Sequence, residues 1–203
     1  MTINKFYNKI LKRDSRTFGN LKKNIKFIFR TYLYFPFQRE LVIFTINHKY
    51  LSKKICFHEC LLGKLHRPYL CNFFKSSEKL NAIKDNYIFI DETFSPKFKE
   101  ELYNSGLVNL AEIHGQNGQK YFINLLMYIK YPKEGELCIR VTNEENLVLA
   151  TLSFSFIKYK NTGYKVFIGG IKGVKKGIDH NNIKKATKSL YGLFPKKLVV
   201  ESL

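Results

Sequence analysis

The 203-residue sequence predicts an α+β fold: N-terminal helices, an antiparallel β-meander of about five strands, a glycine-rich turn and C-terminal helices. Three observations carry that expectation. Apolar residues recur at helical spacing as far as Gly106 and alternate after it. Four short polar turns, 115–118, 132–135, 143–146 and 161–163, separate the alternating runs, so neighbouring runs must be antiparallel. The run of glycines from Gly169 to Gly177 then ends the alternation, and Asp179 caps a helix.

The elements follow in order. Thr2 to Arg13 places Ile3, Phe6, Tyr7, Ile10 and Leu11 on one helical face, with Lys5, Lys9, Lys12 and Arg13 mostly off it. That pattern fits a helix packed on the domain, the commoner case, and also one lying on anionic lipid with those four cations facing the headgroups. Phe18 to Tyr34 is a second helix carrying Leu21, Ile25, Ile28, Phe29, Tyr32 and Leu33 on one side, ended by Pro36. A third helix begins near Phe37 and carries Leu41, Phe44 and His48; a fourth surrounds Cys56 to Leu65 and is broken by Pro68. Ser77 to about Ile90 is helical again. Ser95-Pro96 supplies an N-cap and a first-turn proline, and Gly106 closes that helix.

The strands are expected at Leu107–His114, Tyr121–Tyr131, Glu136–Thr142, Leu147–Tyr159 and Tyr164–Ile168. In Thr151 to Phe156 small hydroxyls alternate with large apolar side chains, which predicts one buried face and one covered by small polar groups. A helix from Asp179 to about Leu190 stops at Gly192, and Pro195 starts a last one. The chain divides into an amphipathic helical segment, 1–36, and a domain, 37–203, made of a helical part, 37–106, and the meander with its helices, 107–203.

Charge sets the partners. Thirty-five basic residues against sixteen acidic ones leave a net charge of +19. Such a field favours an anionic membrane surface, a phosphate-bearing small molecule or nucleic acid; a solvated basic surface without a dedicated partner is the plain alternative. No recognition helix, zinc finger or aromatic ribonucleoprotein signature supports nucleic acid. No stretch has the make-up of a secretion signal, and no apolar run reaches the roughly 18 residues of a membrane span. A cytoplasmic location, or a peripheral one on the inner membrane, is expected. Cys56, Cys60, His66 and Cys71 lack the paired spacing of structural zinc, so no metal is expected.

The glycine segment is the most informative local feature. A glycine loop containing Gly169, Gly170 and Gly173 and joining a strand to the start of a helix turns amides toward an anion, and Lys172, Lys175 and Lys176 add charge. It matches neither the P-loop nor the dinucleotide fingerprint, and a tight turn needing positive φ explains the glycines as well. The order meander, glycine turn, helix is also that of acyl-CoA-dependent N-acyltransferases, which makes acyl-CoA a candidate donor by analogy of fold. No nucleophile or acid–base constellation stands out. Glu59, Glu78, Glu92, Glu112 and Glu136 are candidates only as carboxylates.

Three stretches carry a family likeness: Leu61-Leu62-Gly63-Lys64-Leu65-His66-Arg67-Pro68-Tyr69-Leu70 with Glu78-Lys79-Leu80; Leu152–Phe156 leading into Ile168-Gly169-Gly170-Ile171-Lys172-Gly173; and Ala186-Thr187-Lys188-Ser189-Leu190-Tyr191-Gly192-Leu193-Phe194-Pro195-Lys196. In this order they resemble the VirK family of Gram-negative bacteria, from about Phe37 onward. The resemblance singles out Arg67, Pro68, Tyr69, Glu78, Thr187, Gly192, Pro195 and Lys196 as motif positions. It departs at Lys172, where the family has Gln, at Phe194, where it has Arg, and at Asn86, where it has His. Family members continue past the Gly-Leu-x-Pro-Lys segment, so the resemblance implies a truncated or split member. It implies a cytoplasmic or peripheral inner-membrane protein tied to virulence, surface-protein placement and resistance to cationic antimicrobial peptides. It implies no demonstrated enzyme activity.

Overall fold

The computed structural model describes residues 25–26, 29–53, 61–127, 133–159, 162–174 and 180–203. The helix expected over Thr2–Arg13, with Lys5, Lys9, Lys12 and Arg13, lies outside them, as do Lys175 and Lys176.

Helical residues 29–33 lead into α1 (Phe35–Asn47). Pro36 stands in the first turn of α1, where its missing N–H is not needed, so it starts a helix as it ends one. Short 3-10 turns at Leu51–Lys53 and Lys64–His66 follow. Helix α2 (Ser76–Thr93) is the longest element. Helix α3 (Pro96–Ser105) has the expected caps: Ser95 Oγ accepts from Phe98 N, and Gly106 takes the left-handed conformation at φ 75°.

Helices α1 and α2 run in the same direction. Gln38, near the start of α1, bonds Leu62 and His66 just ahead of α2; Lys84 pairs with Glu40; His48, after α1, lies 3.0 Å from Asp91 near the end of α2. His48 Nδ1 accepts N–H bonds from Tyr50 and Leu51 at 3.3 Å, which leaves Nε2 to face the carboxylate. Burial holds this imidazole below its ordinary pKa.

The sheet contains five antiparallel strands in sequence order, β1 (Leu107–His114), β2 (Lys120–Met127), β3 (Leu137–Asn143), β4 (Val148–Lys158) and β5 (Tyr164–Gly173). It is the predicted meander. Helices α4 (His180–Ser189) and α5 (Pro195–Glu201) complete the described chain. Leu198 and Val199 of α5 join the core, and the helix packs on β3, β4 and β5.

Two expectations need correction. The last strand does not stop at Ile168. It runs to Gly173, paired with β4 from Lys158↔Tyr164 to Ala150↔Gly173 around one bulge at Ser153/Phe154. Glycines 169, 170 and 173 are therefore strand residues and not a turn. The hydroxyl face of β4 is not an open polar face either. Ser153 and Ser155 are buried, because residues 133–136 cross that side of the sheet and Glu136 N bonds Ser155 Oγ at 2.9 Å.

Strands β3 and β4 part company at Leu137↔Phe154. Beyond that point α2 takes the place of β3. Asn86 Oδ1 accepts from Phe156 N and Asp85 Oδ2 from Lys158 N, each at 3.0 Å. Two backbone N–H groups that would be orphaned at the split are satisfied by side chains, and Asn86 is fully buried in doing so.

Candidate functional site

The glycine segment was expected to present free amides to an anion. In the structure Glu134 lies across it. A Cβ at Gly169 would overlap the Glu134 carbonyl, and one at Gly170 would meet the Glu134 carboxylate. The glycines serve close passage of a neighbouring segment, not a turn. Lys172 spends its charge on Glu134 in a salt bridge. An acidic side chain over the glycines repels a phosphate at that point. A cavity of about 200 Å³ lies elsewhere, between the β3–β4 turn and α4, lined in part by Tyr121, Glu144, Leu149 and Lys185. It is below the roughly 300 Å³ at which ligand pockets begin and far below what an acyl-CoA fills.

The motif positions divide into structural and exposed roles. Glu78 Oε2 accepts from Lys75 N at 2.7 Å and caps α2. Thr187 Oγ1 bonds Ile183 O within α4. Gly192, at φ 85°, closes α4 through its N–H to Thr187 O at 2.8 Å. Pro195 is buried in the first turn of α5, and Lys196 is exposed beside Gly173. Of these, Lys196 alone is placed beside one of the glycines, Gly173.

Tyr69 leads to the cluster that sequence reasoning missed. Its hydroxyl donates to Glu136 Oε1 at 2.6 Å; Lys64 Nζ reaches the same oxygen at 2.5 Å; Tyr87 OH donates to Oε2 at 2.6 Å. Lys64 is 5% exposed and the Glu136 side chain is sealed. Burial, and then the Glu136 charge, push both phenols well above their ordinary pKa. They stay neutral donors at any ordinary pH. The arrangement surrounds a buried carboxylate with three donors, one of them a lysine. It ties the 3-10 turn, Tyr69, α2 and the residue that opens β3 together in the interior.

A second arrangement reaches the surface at the end of the molecule where α1 and α2 begin. His66 stacks on Tyr34, ring centroids 5.8 Å apart. Gln38 Nε2 lies 2.6 Å from His66 Nε2 and donates to Leu62 O at 3.2 Å. The Leu62 carbonyl fixes the amide orientation, so His66 Nε2 must accept and its proton sits on Nδ1. Burial, then Arg30, Arg67 and Lys79, lower the His66 pKa to about 4. Just before Tyr34, Phe29, Tyr32 and Leu33 are 62%, 79% and 58% exposed, and Phe35 follows at 52%. The apolar side read from the sequence over Phe18–Tyr34 thus includes large groups in solvent, with exposed Arg30 and Arg39 nearby.

The fold and the site define an α+β domain with a polar staple at its centre and one apolar, cationic end. The chain belongs to the DUF535 family, described as a protein family of unknown function, whose model matches residues 16–203. That match opens ahead of Phe37, where the VirK resemblance begins. The chain is 36% identical over 139 residues to YbjX, an uncharacterized protein of Escherichia coli (strain K12). The matched stretch is 68% of this chain and 42% of YbjX, so the chain spans less than half the length of that relative. No solved structure matches the chain.

Proposed function

We propose that this protein is a peripheral accessory protein of an anionic membrane surface, of the kind the VirK resemblance implies, acting in envelope integrity or surface-protein placement. One observation carries the reading. Phe29, Tyr32, Leu33 and Phe35 stand in solvent on a segment that also presents Arg30 and Arg39. Large exposed apolar side chains beside cations are what an interfacial helix offers to the boundary between headgroups and acyl chains. The net charge of +19 adds attraction to anionic lipid. Among the described residues no helix is long and apolar enough to cross a membrane, so attachment by surface contact fits the chain.

Co-sedimentation tests it with vesicles of phosphatidylcholine alone and of equal parts phosphatidylcholine and phosphatidylglycerol. The protein is expected to pellet with the mixed vesicles and to be released by salt. Each half-exposed apolar side chain contributes on the order of 1 kcal/mol on insertion. The double variant Phe29→Ser, Leu33→Ser is therefore expected to bind roughly 30-fold more weakly. Equal binding to both vesicle types, or binding to neither, defeats the reading.

A further inference from the structure

The membrane reading leaves open what recognises the lipid, and the exposed end contains more than apolar surface. Three cations converge there on one ring. Arg67 follows His66 directly, and its carbonyl accepts from Lys79 Nζ at 2.8 Å. Arg30 lies one helical turn before Tyr34, whose N–H bonds the Arg30 carbonyl at 3.0 Å and whose ring stacks on His66. Among the described residues no carboxylate pairs with Arg30, Arg67 or Lys79, whereas Lys64, Lys84, Lys120 and Lys172 each have one. Glu78, next to Lys79 in sequence, is committed to the cap of α2, and Glu40, ten residues after Arg30, pairs with Lys84.

Like charges brought together without a counter-charge repel one another. A fold keeps such a cluster where an anion completes it. The neighbouring His66 senses the unbalanced field, since its imidazole is held neutral partly by these three groups. Two guanidiniums and an ammonium suit a phosphate: the guanidinium fork offers paired N–H donors to its oxygens, and the ammonium adds a point charge. Exposed Tyr32, Leu33 and Phe35 also flank Tyr34 in the chain, apolar surface that a free phosphate leaves unused and a lipid covers.

We propose that Arg30, Arg67 and Lys79 form a receptor for the headgroup phosphate of an anionic phospholipid, with Phe29, Tyr32, Leu33 and Phe35 entering the acyl boundary beside it. This rests on the membrane reading and sharpens it from general attraction to a located contact.

The test compares two triple variants of equal charge loss in the full chain. One is Arg30→Gln, Arg67→Gln, Lys79→Gln. The other is Lys49→Gln, Lys53→Gln, Lys97→Gln, which removes exposed cations at the far end of the α1–α2 pair. Vesicles of equal parts phosphatidylcholine and phosphatidylglycerol are titrated against each, with circular dichroism confirming that both fold. The first triple is expected to bind on the order of 100-fold more weakly and the second within about threefold of the parent, since near-surface cations act within a Debye length. Arg67→Gln alone, a fully exposed change, is expected to weaken binding about fivefold. If the two triples lose affinity equally, the receptor is refuted while general membrane attraction stands. If the parent protein ignores the vesicles, the membrane reading itself fails and the receptor with it. If the parent binds double-stranded DNA more tightly than vesicles, and the first triple alone abolishes that, the cluster serves nucleic acid and the lipid assignment is wrong.

Discussion

His66 makes the electrostatics of one residue measurable. Its folded pKa is about 4 against an ordinary value of 6.5. Between those limits the unfolded chain holds a proton that the native ring refuses, so stability falls as pH drops from about 6.5 to 4 and is indifferent to this group above 6.5. His48, lowered by burial, acts in the same direction. The pH slope of the urea midpoint is expected to shrink in His66→Asn, and an NMR titration is expected to show His66 moving upward in Arg67→Gln. No change in either overturns the role assigned to the neighbouring cations. Glu136 gives the complementary case. Glu136→Gln leaves Lys64 buried without its counter-charge and is expected to cost about 3–5 kcal/mol. Replacing both charges, Lys64→Met with Glu136→Gln, is expected to cost clearly less, because the uncompensated charge disappears while the amide oxygen still accepts from a phenol. Denaturant unfolding of the three chains measures this; a double variant worse than the single one contradicts the buried-charge account.

Among the elements, β5 shows what a glycine can mean. At Gly169 a side chain would overlap the Glu134 backbone, whereas at Gly173 it would meet only the flexible end of Lys196. Gly169→Val is expected to cost roughly 2–4 kcal/mol by lifting residues 133–136 from the sheet. Gly173→Ala is expected to stay within about 0.5 kcal/mol. Similar losses at the two positions would remove close passage as the reason for the glycines. The same strand marks the limit of what the sequence could say. Caps were legible because their chemistry is local: Ser95, Pro96 and Gly106 act where they stand, and the strand from Leu107 to His114 falls where alternation places it. Gly169 read as a turn because its partner, Glu134, is distant in sequence and enters only when the sheet forms. Lys64, Tyr69, Tyr87 and Glu136 were hidden for the same reason. The available hints were a lysine inside the apolar run Leu61–Leu65 and a glutamate opening the strand from Leu137. Asn86 likewise gains its meaning only because β3 and β4 separate beside it.

For the molecule as a whole, the excess of positive charge was plain from composition, but its arrangement was not. Lysines are spread over the surface. The group of cations at His66, without a paired carboxylate among the described residues, arises because α1 and α2 begin at the same end. That shared heading has an electrical consequence of its own. An α-helix carries about half a positive charge at its N-terminus and half a negative one at its C-terminus. Two helices laid antiparallel cancel; these two reinforce. The amino end of α2 lies at Lys75 and α1 runs on from helical residues 29–33, so the two backbone dipoles add along one direction before any side chain is counted. Above a negatively charged plane a body with such a dipole has a preferred orientation, the amino ends of these helices toward the plane.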